Sequence, residues 1–395
     1  MRSPPARLVW LLPLVELCAC NRDDPGVAVQ VAASAAPSVI APIDMPEVLS
    51  PESTFTPPVD EPRITMPSPR RKRGAKAVVH NAACASCHDK QAKEWRGSYH
   101  QRANVDPAYV KAFAIEPSPF CRSCHAPEAD PAKEPPIAVS ELGVGCVTCH
   151  LTAEGFVLAA DHGDDAAREP APHPVRRSKA FAHQGACADC HEFRFPMPGG
   201  DEDAFFMQTT AREHLRSPAA AKACADCHMP VEQGQRSHAF SHVRDPAWLR
   251  KNLLANAERI DDTLRVKLVQ PNPGHDAPTG DLFRRYEVGW ELVSEKGDVM
   301  QRETQYLGRH FEAFPDRPGR RLTRDNRVGS EPAIVTFELP HEAPASTRIK
   351  WWLTYQRVAT VGTGQNPADA VIESEIKLHS GEIPWHDNPS PMNRP

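Results

Sequence analysis

Apolar and polar residues alternate with period two in the last part of the chain. Leu264, Val266 and Leu268 alternate within Thr263–Val269, and Tyr286, Val288, Trp290 and Leu292 within Tyr286–Val293. Val335, Phe337 and Leu339 repeat the pattern, as do Ile349, Trp351, Leu353 and Tyr355; Ile376 and Leu378 suggest one more strand. A strand turns successive side chains to opposite faces, so each run predicts a half-buried strand. Turns rich in Pro, Gly and Asp between the runs predict antiparallel pairing in a β-sandwich domain over residues 253–385, with Leu249–Ala257 as a connecting helix. Between residues 79 and 245 the pattern allows helical pieces at Asp89–Ser98, Pro107–Ala114 and Ala204–Leu215, and no strands. From Asn21 to about Val78 there is almost no periodicity and ten prolines recur. Such a segment cannot bury enough apolar surface to order itself, which predicts a disordered tether over residues 21–78.

The middle region has little periodicity but repeats one pentapeptide five times. The copies are Cys84-Ala-Ser-Cys87-His88, Cys121-Arg-Ser-Cys124-His125, Cys146-Val-Thr-Cys149-His150, Cys187-Ala-Asp-Cys190-His191 and Cys224-Ala-Asp-Cys227-His228. With 12 Cys and 18 His in 395 residues, chance supplies about 0.02 such pentapeptides. Cys-x-x-Cys-His is the attachment signature of c-type haem: the two thiols add to the vinyl groups, and the adjacent imidazole binds the iron. Zinc knuckles, redox dithiols and disulfide frameworks also use paired cysteines, but none of them requires His directly after the second Cys. Five covalently bound haem c groups follow, with His88, His125, His150, His191 and His228 as iron ligands. At about one haem per 30 residues the porphyrins must themselves form the core, closely packed. The fold class is therefore mixed: a mostly irregular, short-helix multihaem domain (79–245) followed by an antiparallel β-sandwich.

Cys18 and Cys20 are the remaining cysteines. Arg2 and Arg7 precede the apolar run Leu8–Leu17, which has signal-peptide length and is too short to span a membrane. The run ends in Leu17-Cys18-Ala19-Cys20, which resembles a bacterial lipobox. This reading makes residues 1–20 a lipoprotein-type signal peptide and attaches the chain to a membrane through lipid on Cys20. A plain secretory signal is the alternative. Asn21 in place of aspartate tilts the reading toward an outer-membrane lipoprotein on the periplasmic side. The net charge of -5 gives no indication of nucleic acid as a partner. The basic run Arg70-Arg71-Lys72-Arg73-Gly74-Ala75-Lys76 reads either as a solvated linker end or as a contact for anionic lipid or an acidic redox partner.

Each iron has a second axial position, and thirteen histidines lie outside the motifs. Trp95 and Ser98-Tyr99-His100 after the first motif resemble the "CxxCH … W-x-x-S-x-H" pattern of multihaem cytochromes related to the tetrahaem electron carrier of ammonia oxidisers and to hydroxylamine oxidoreductase. Gly143-Val144-Gly145 before the third motif, Pro172-His173-Pro174, and Met229-Pro230 with Ser237-His238-Ala239-Phe240 are similar as well. Asn272-Pro273-Gly274-His275-Asp276-Ala277-Pro278-Thr279-Gly280 resembles a loop of the C-terminal β domain of such proteins, and Asp325-Asn326-Arg327 with Glu331 a second segment. The resemblance covers roughly residues 79–380 and implies that His100, His173 and His238 are second ligands. His275 sits in a Gly/Pro loop that can hold a side chain rigidly toward a neighbour, which suggests that it caps a haem from the β domain, with a loop histidine bonded to Asp276 or Thr279 as the alternative. His80, His162, His183, His214 and His242 are the candidates for a fifth position. His214 stands where relatives tend to carry Trp.

Three functions remain open. One is a carrier of single electrons in a periplasmic or outer-membrane respiratory chain, between a redox-protein donor and acceptor. Another is an oxidoreductase with one five-coordinate haem, acting on a small nitrogen or sulfur compound. The third is a binding module whose β domain recognises a partner. The surplus of histidines and the lack of a Cys-x-x-Cys-Lys motif favour the carrier.

Overall fold

The computed structural model describes residues 72–161, 172–194, 206–240, 244–316, 320–359 and 367–385. The signal segment, its lipobox and nearly all of the proline-rich stretch lie outside the described residues. Folded chain begins earlier than the tether reading expected: α1 (Ala75–Cys87) starts inside that stretch. Arg73, just ahead of it, is a structural residue. It donates to Glu128, whose side chain is fully buried, and to the carbonyl oxygens of Val147 and Leu151.

Short helices carry the motif region: α2 (Asp89–Trp95), α3 (Pro107–Ile115), α4 (Pro119–His125), α5 (Ile137–Leu142), α6 (Cys146–His150), α7 (Ala188–His191), α8 (Thr210–Leu215) and α9 (Cys224–His228). Asp106 caps α3 by accepting from the Ala108 N–H, and Pro107 occupies a first-turn position where its missing donor costs nothing. The first motif closes α1, and α4, α6, α7 and α9 each end on the histidine of theirs. One helical turn thus presents two thiols and an imidazole together.

Strands were not expected in this region, yet six short ones occur among the described residues. β1 (Val157–Ala160) pairs in parallel with β2 (Val175–Ser178), β3 (Glu192–Arg194) pairs antiparallel with β4 (Phe206–Thr209), and β5 (Val231–Glu232) with β6 (Gln235–Arg236). Ladders of two to four residues are too short for an alternation to be read. Of the helix expected over Ala204–Leu215, the described residues form α8, because Phe206–Thr209 is drawn into the ladder with β3. Among the described residues, protein side chains here form only small apolar clusters, one around Ala77, Leu142 and Val147 and one around Ala126, Ala129 and Val139.

The connecting helix ends sooner than expected. Asp245 caps α10 (Pro246–Asn252), and the chain then enters β7 (Leu254–Ile260), which takes up Ala255 and Ala257. The remaining strands are β8 (Thr263–Val269), β9 (Arg284–Val293), β10 (Val299–Leu307), β11 (Arg309–Ala313), β12 (Arg320–Asp325), β13 (Ala333–Glu338), β14 (Arg348–Val358) and β15 (Ile372–Pro384). β10, β11 and β12 were not anticipated, because polar residues occupy most of their positions. A four-stranded sheet runs β10-β9-β14-β15, a three-stranded one β13-β8-β7, and β11 pairs with β12, all antiparallel. Leu264, Val266 and Leu268 of β8, Val288 and Trp290 of β9, Phe337 of β13 and Leu353 of β14 are buried in one cluster, to which both larger sheets contribute. Among the described residues no helix is long and apolar enough to cross a membrane.

Candidate functional site

Four of the five motif imidazoles face a second imidazole. Ring centres are 6.3 Å apart for His88 and His173, 6.1 Å for His100 and His191, 6.2 Å for His150 and His238, and 6.2 Å for His228 and His275. Two imidazoles on opposite sides of one iron, each about 2.0 Å from it and with ring centres about 1.1 Å behind the bonding nitrogens, have centres about 6.2 Å apart. The residues present therefore fit a haem iron between each pair.

Hydrogen bonds to Nδ1 leave Nε2 free to face a metal. Nδ1 of His150 bonds to the Leu158 carbonyl at 2.8 Å, that of His238 to Arg236 at 3.0 Å, and that of His275 to Asp276 at 3.1 Å. The bond from His275 to Asp276, weighed above as an alternative to ligation, is thus compatible with it. Burial lowers His100 to about 3, with His191 and His228 acting in the same direction, and burial also lowers His150, His191, His238 and His275. The neutral imidazole is the form that binds a metal.

Backbone contacts hold three of the second histidines. The Val144 N–H donates to the His100 carbonyl at 2.8 Å, and Trp95 Nε1 to the Val144 carbonyl at 2.9 Å. Gly143 makes this approach possible, since at φ 53° a Cβ there would lie 2.3 Å from the Gln101 carbonyl oxygen. The His238 N–H donates to Glu94 of α2 at 2.7 Å. For His275, Gln270 donates to its carbonyl at 3.0 Å, and Ala277 pairs with Val328 through two backbone bonds at the edge of the β core.

His125 differs. Its Nδ1 bonds to the Ala103 carbonyl at 2.6 Å, and the Tyr109 ring stacks on it with centres 3.9 Å apart and planes at 12°. Burial lowers it; the Ala103 carbonyl, Asp281 and Asp106 oppose this, and Arg357 reinforces it. Among the described residues no second imidazole stands at the 6 Å spacing from His125. His162 and His242 lie outside the described residues. His80 is exposed on α1, and His183 sits in the turn Phe181–Gly185. His214 is occupied at both ring nitrogens, by the Gly274 carbonyl at 2.9 Å and the Lys222 carbonyl at 3.0 Å, so it has no nitrogen left for a metal.

Neighbouring copies meet. The Cys187 thiol hydrogen-bonds to Cys224 and the Cys190 thiol to Cys124, which together with burial pushes Cys187 and Cys190 up. Burial and the nearby Cys84 push Cys146 up to about 11. The Phe240 ring lies 4.3 Å from His100 and 6.2 Å from His238. Copies one and three are therefore adjacent, and copy four borders two, three and five. Sequence reasoning assigned no role to the Phe240 and Tyr109 rings, whose contacts with His100, His238 and His125 exist only in the folded chain.

A family model described as cytochrome c554 and c-prime matches residues 83–151, which hold the first three motifs. A solved structure, the penta-haem cytochrome c552 from Thermochromatium tepidum, is similar at a TM-score of 0.56 with 18% identity, covering 80% of this chain and 100% of that one. With the repeated motif, these likenesses support a multihaem c-type cytochrome. An endonuclease/exonuclease/phosphatase from Beutenbergia cavernae (13% identity, 33% of this chain, 24% of that one) and a β-glucuronidase 2 mutant from Bacteroides uniformis (10%, 33% and 12%) reach a TM-score of only 0.15 and carry no argument. No curated protein matches the chain.

Proposed function

We propose that the chain binds five haem c groups and carries single electrons between redox proteins. The observation that carries this reading is the recurrence of one spacing, 6.1 to 6.3 Å, between a motif histidine and a second histidine at four of five copies. The haem irons, when bound, would supply reversible one-electron oxidation and reduction. The chain's own residues do the rest. The ten motif cysteines would anchor the cofactors. His88 with His173, His191 with His100, His150 with His238 and His228 with His275 would saturate four irons and close them to substrates. The fourth copy, bordering the second, third and fifth, would be the junction of the array. The β region, read as a sandwich, would brace it. Lipid on Cys20 and the proline-rich stretch would tether the protein to the periplasmic face of an outer membrane, within a respiratory chain.

The second motif supports a narrower form of the enzyme reading. His125 is held by Ala103 and Tyr109 and faces no second imidazole among the described residues. With no ligand from His162 or His242, an iron bound there would keep an open position, the requirement for acting on a small nitrogen or sulfur compound. Low-temperature EPR of the oxidised holoprotein, with haem content measured by mass, tests both readings. Five haems with only low-spin signals support the carrier. A high-spin signal integrating to about one haem, and absent from a Cys121→Ala, Cys124→Ala variant that lacks the second haem, supports an open centre at the second motif. Fewer than five haems would sink the pentahaem assignment.

A further inference from the structure

Three of the second histidines, His100, His173 and His238, come from the motif region. His275 comes from the β region and has to be held across the seam between the two. A buried charge network spans that seam. The Glu213 side chain on α8 is fully buried and accepts from Thr209, from Thr279 Oγ1 at 2.6 Å and from Arg327 at 2.7 Å. Arg327, its side chain 4% exposed, also donates to Asp325 at 2.7 Å and to Asp276, the residue after His275, at 3.4 Å. On the other side of His275, the Gly274 carbonyl accepts from His214 of α8 at 2.9 Å. Thr210 and Thr279 share a hydroxyl contact at 2.9 Å. Arg309 reaches back from β11 to the carbonyls of Phe206, Met207 and Gly280.

The loop carrying His275 is therefore gripped on both flanks by one short helix of the motif region. We infer that Glu213, Arg327 and His214 are positioning residues for the second ligand of the fifth haem, so that the ligation state of that centre depends on this clamp. The inference rests on His275 being a ligand. A buried carboxylate and guanidinium that each have several partners lock a geometry more firmly than they add net stability, since desolvation offsets much of their attraction. Releasing the clamp leaves the loop its contacts to the β core, from Gln270 to the His275 carbonyl and between Ala277 and Val328.

The test uses the full-length holoprotein with Glu213→Gln, Arg327→Leu and, as the control for the underlying reading, His275→Ala. Haem content by mass, EPR and the midpoint potentials of the individual centres are recorded for each. The expected result is that Arg327→Leu keeps five haems but moves about one of them to high spin, and that added imidazole restores its low-spin signal. Glu213→Gln should shift the potential of that same centre and leave the other potentials in place. If His275→Ala produces the high-spin centre while both clamp variants match the unmodified protein, the clamp is overturned and the ligand stands. If His275→Ala leaves all spectra unchanged, the ligand reading itself falls. Should Arg327→Leu not accumulate, Thr279→Val, which keeps the packing volume, gives the same readout.

Discussion

Asn81, on the helix that carries the first motif, accepts a hydrogen bond from the Cys146 N–H at the start of the third, at 2.7 Å. A side chain of the first motif's helix thus caps that of the third. Asn81 is 6% exposed and packs against Gly145. Asn81→Ala removes an acceptor from a buried helix start and should destabilise the holoprotein by about 1–2 kcal/mol. Chemical denaturation measures this, and an unchanged midpoint would contradict the capping role.

Arg73 and Glu128 form the second tie to that helix. Arg73→Ala leaves the Glu128 carboxylate buried without its cation and removes the donors to Val147 and Leu151, at an expected cost of about 3 kcal/mol. Removing both charges, in Arg73→Met with Glu128→Leu, should recover much of the loss. If the double variant is no more stable than the single, the buried-charge argument fails.

Gly143 holds the chain against the carbonyls of His100 and Gln101 at a φ of 53°. Gly143→Ala should cost about 1–3 kcal/mol from backbone strain and collision together. It should also perturb the low-spin EPR signature assigned to the centre of His100 and His191. A native EPR spectrum in this variant would show that the loop does not depend on the close approach.

Acid should weaken the β region through Asp281. Burial opposes its ionisation, but Arg284 and Arg357 prevail and hold the carboxyl well below the ordinary carboxylate range. A carboxyl depressed in the folded state contributes stability above its unfolded value of about 3.9, and that contribution is lost as pH falls through the folded value. The denaturation midpoint should hold between pH 7 and about pH 5 and drop below about pH 4. Asp281→Asn should flatten the part of the slope that comes from this group. An equal acid slope in the variant would remove Asp281 from the account.

By itself the sequence determined whatever is local. Cys-x-x-Cys-His is contiguous, so the attachment chemistry can be read without a fold. The long alternations through Leu264–Leu268, Tyr286–Leu292 and Ile349–Tyr355 announce strands because a buried face needs every second residue. The ladders β1 to β6 left no such trace, being too short at two to four residues for an alternation to show, and β10 to β12 were hidden by the polar residues at most of their positions. Tertiary structure decided which histidine meets which: His88 and His173, or His228 and His275, lie far apart in sequence, and no residue pattern encodes their meeting. It also placed Tyr109 on His125, engaged both nitrogens of His214, and turned Arg73 from a linker residue into a buried tie. The physical reason is common to all of these. A ligand pair, a stack or a buried ion pair is an energy between two surfaces, and the surfaces exist only once the chain has folded.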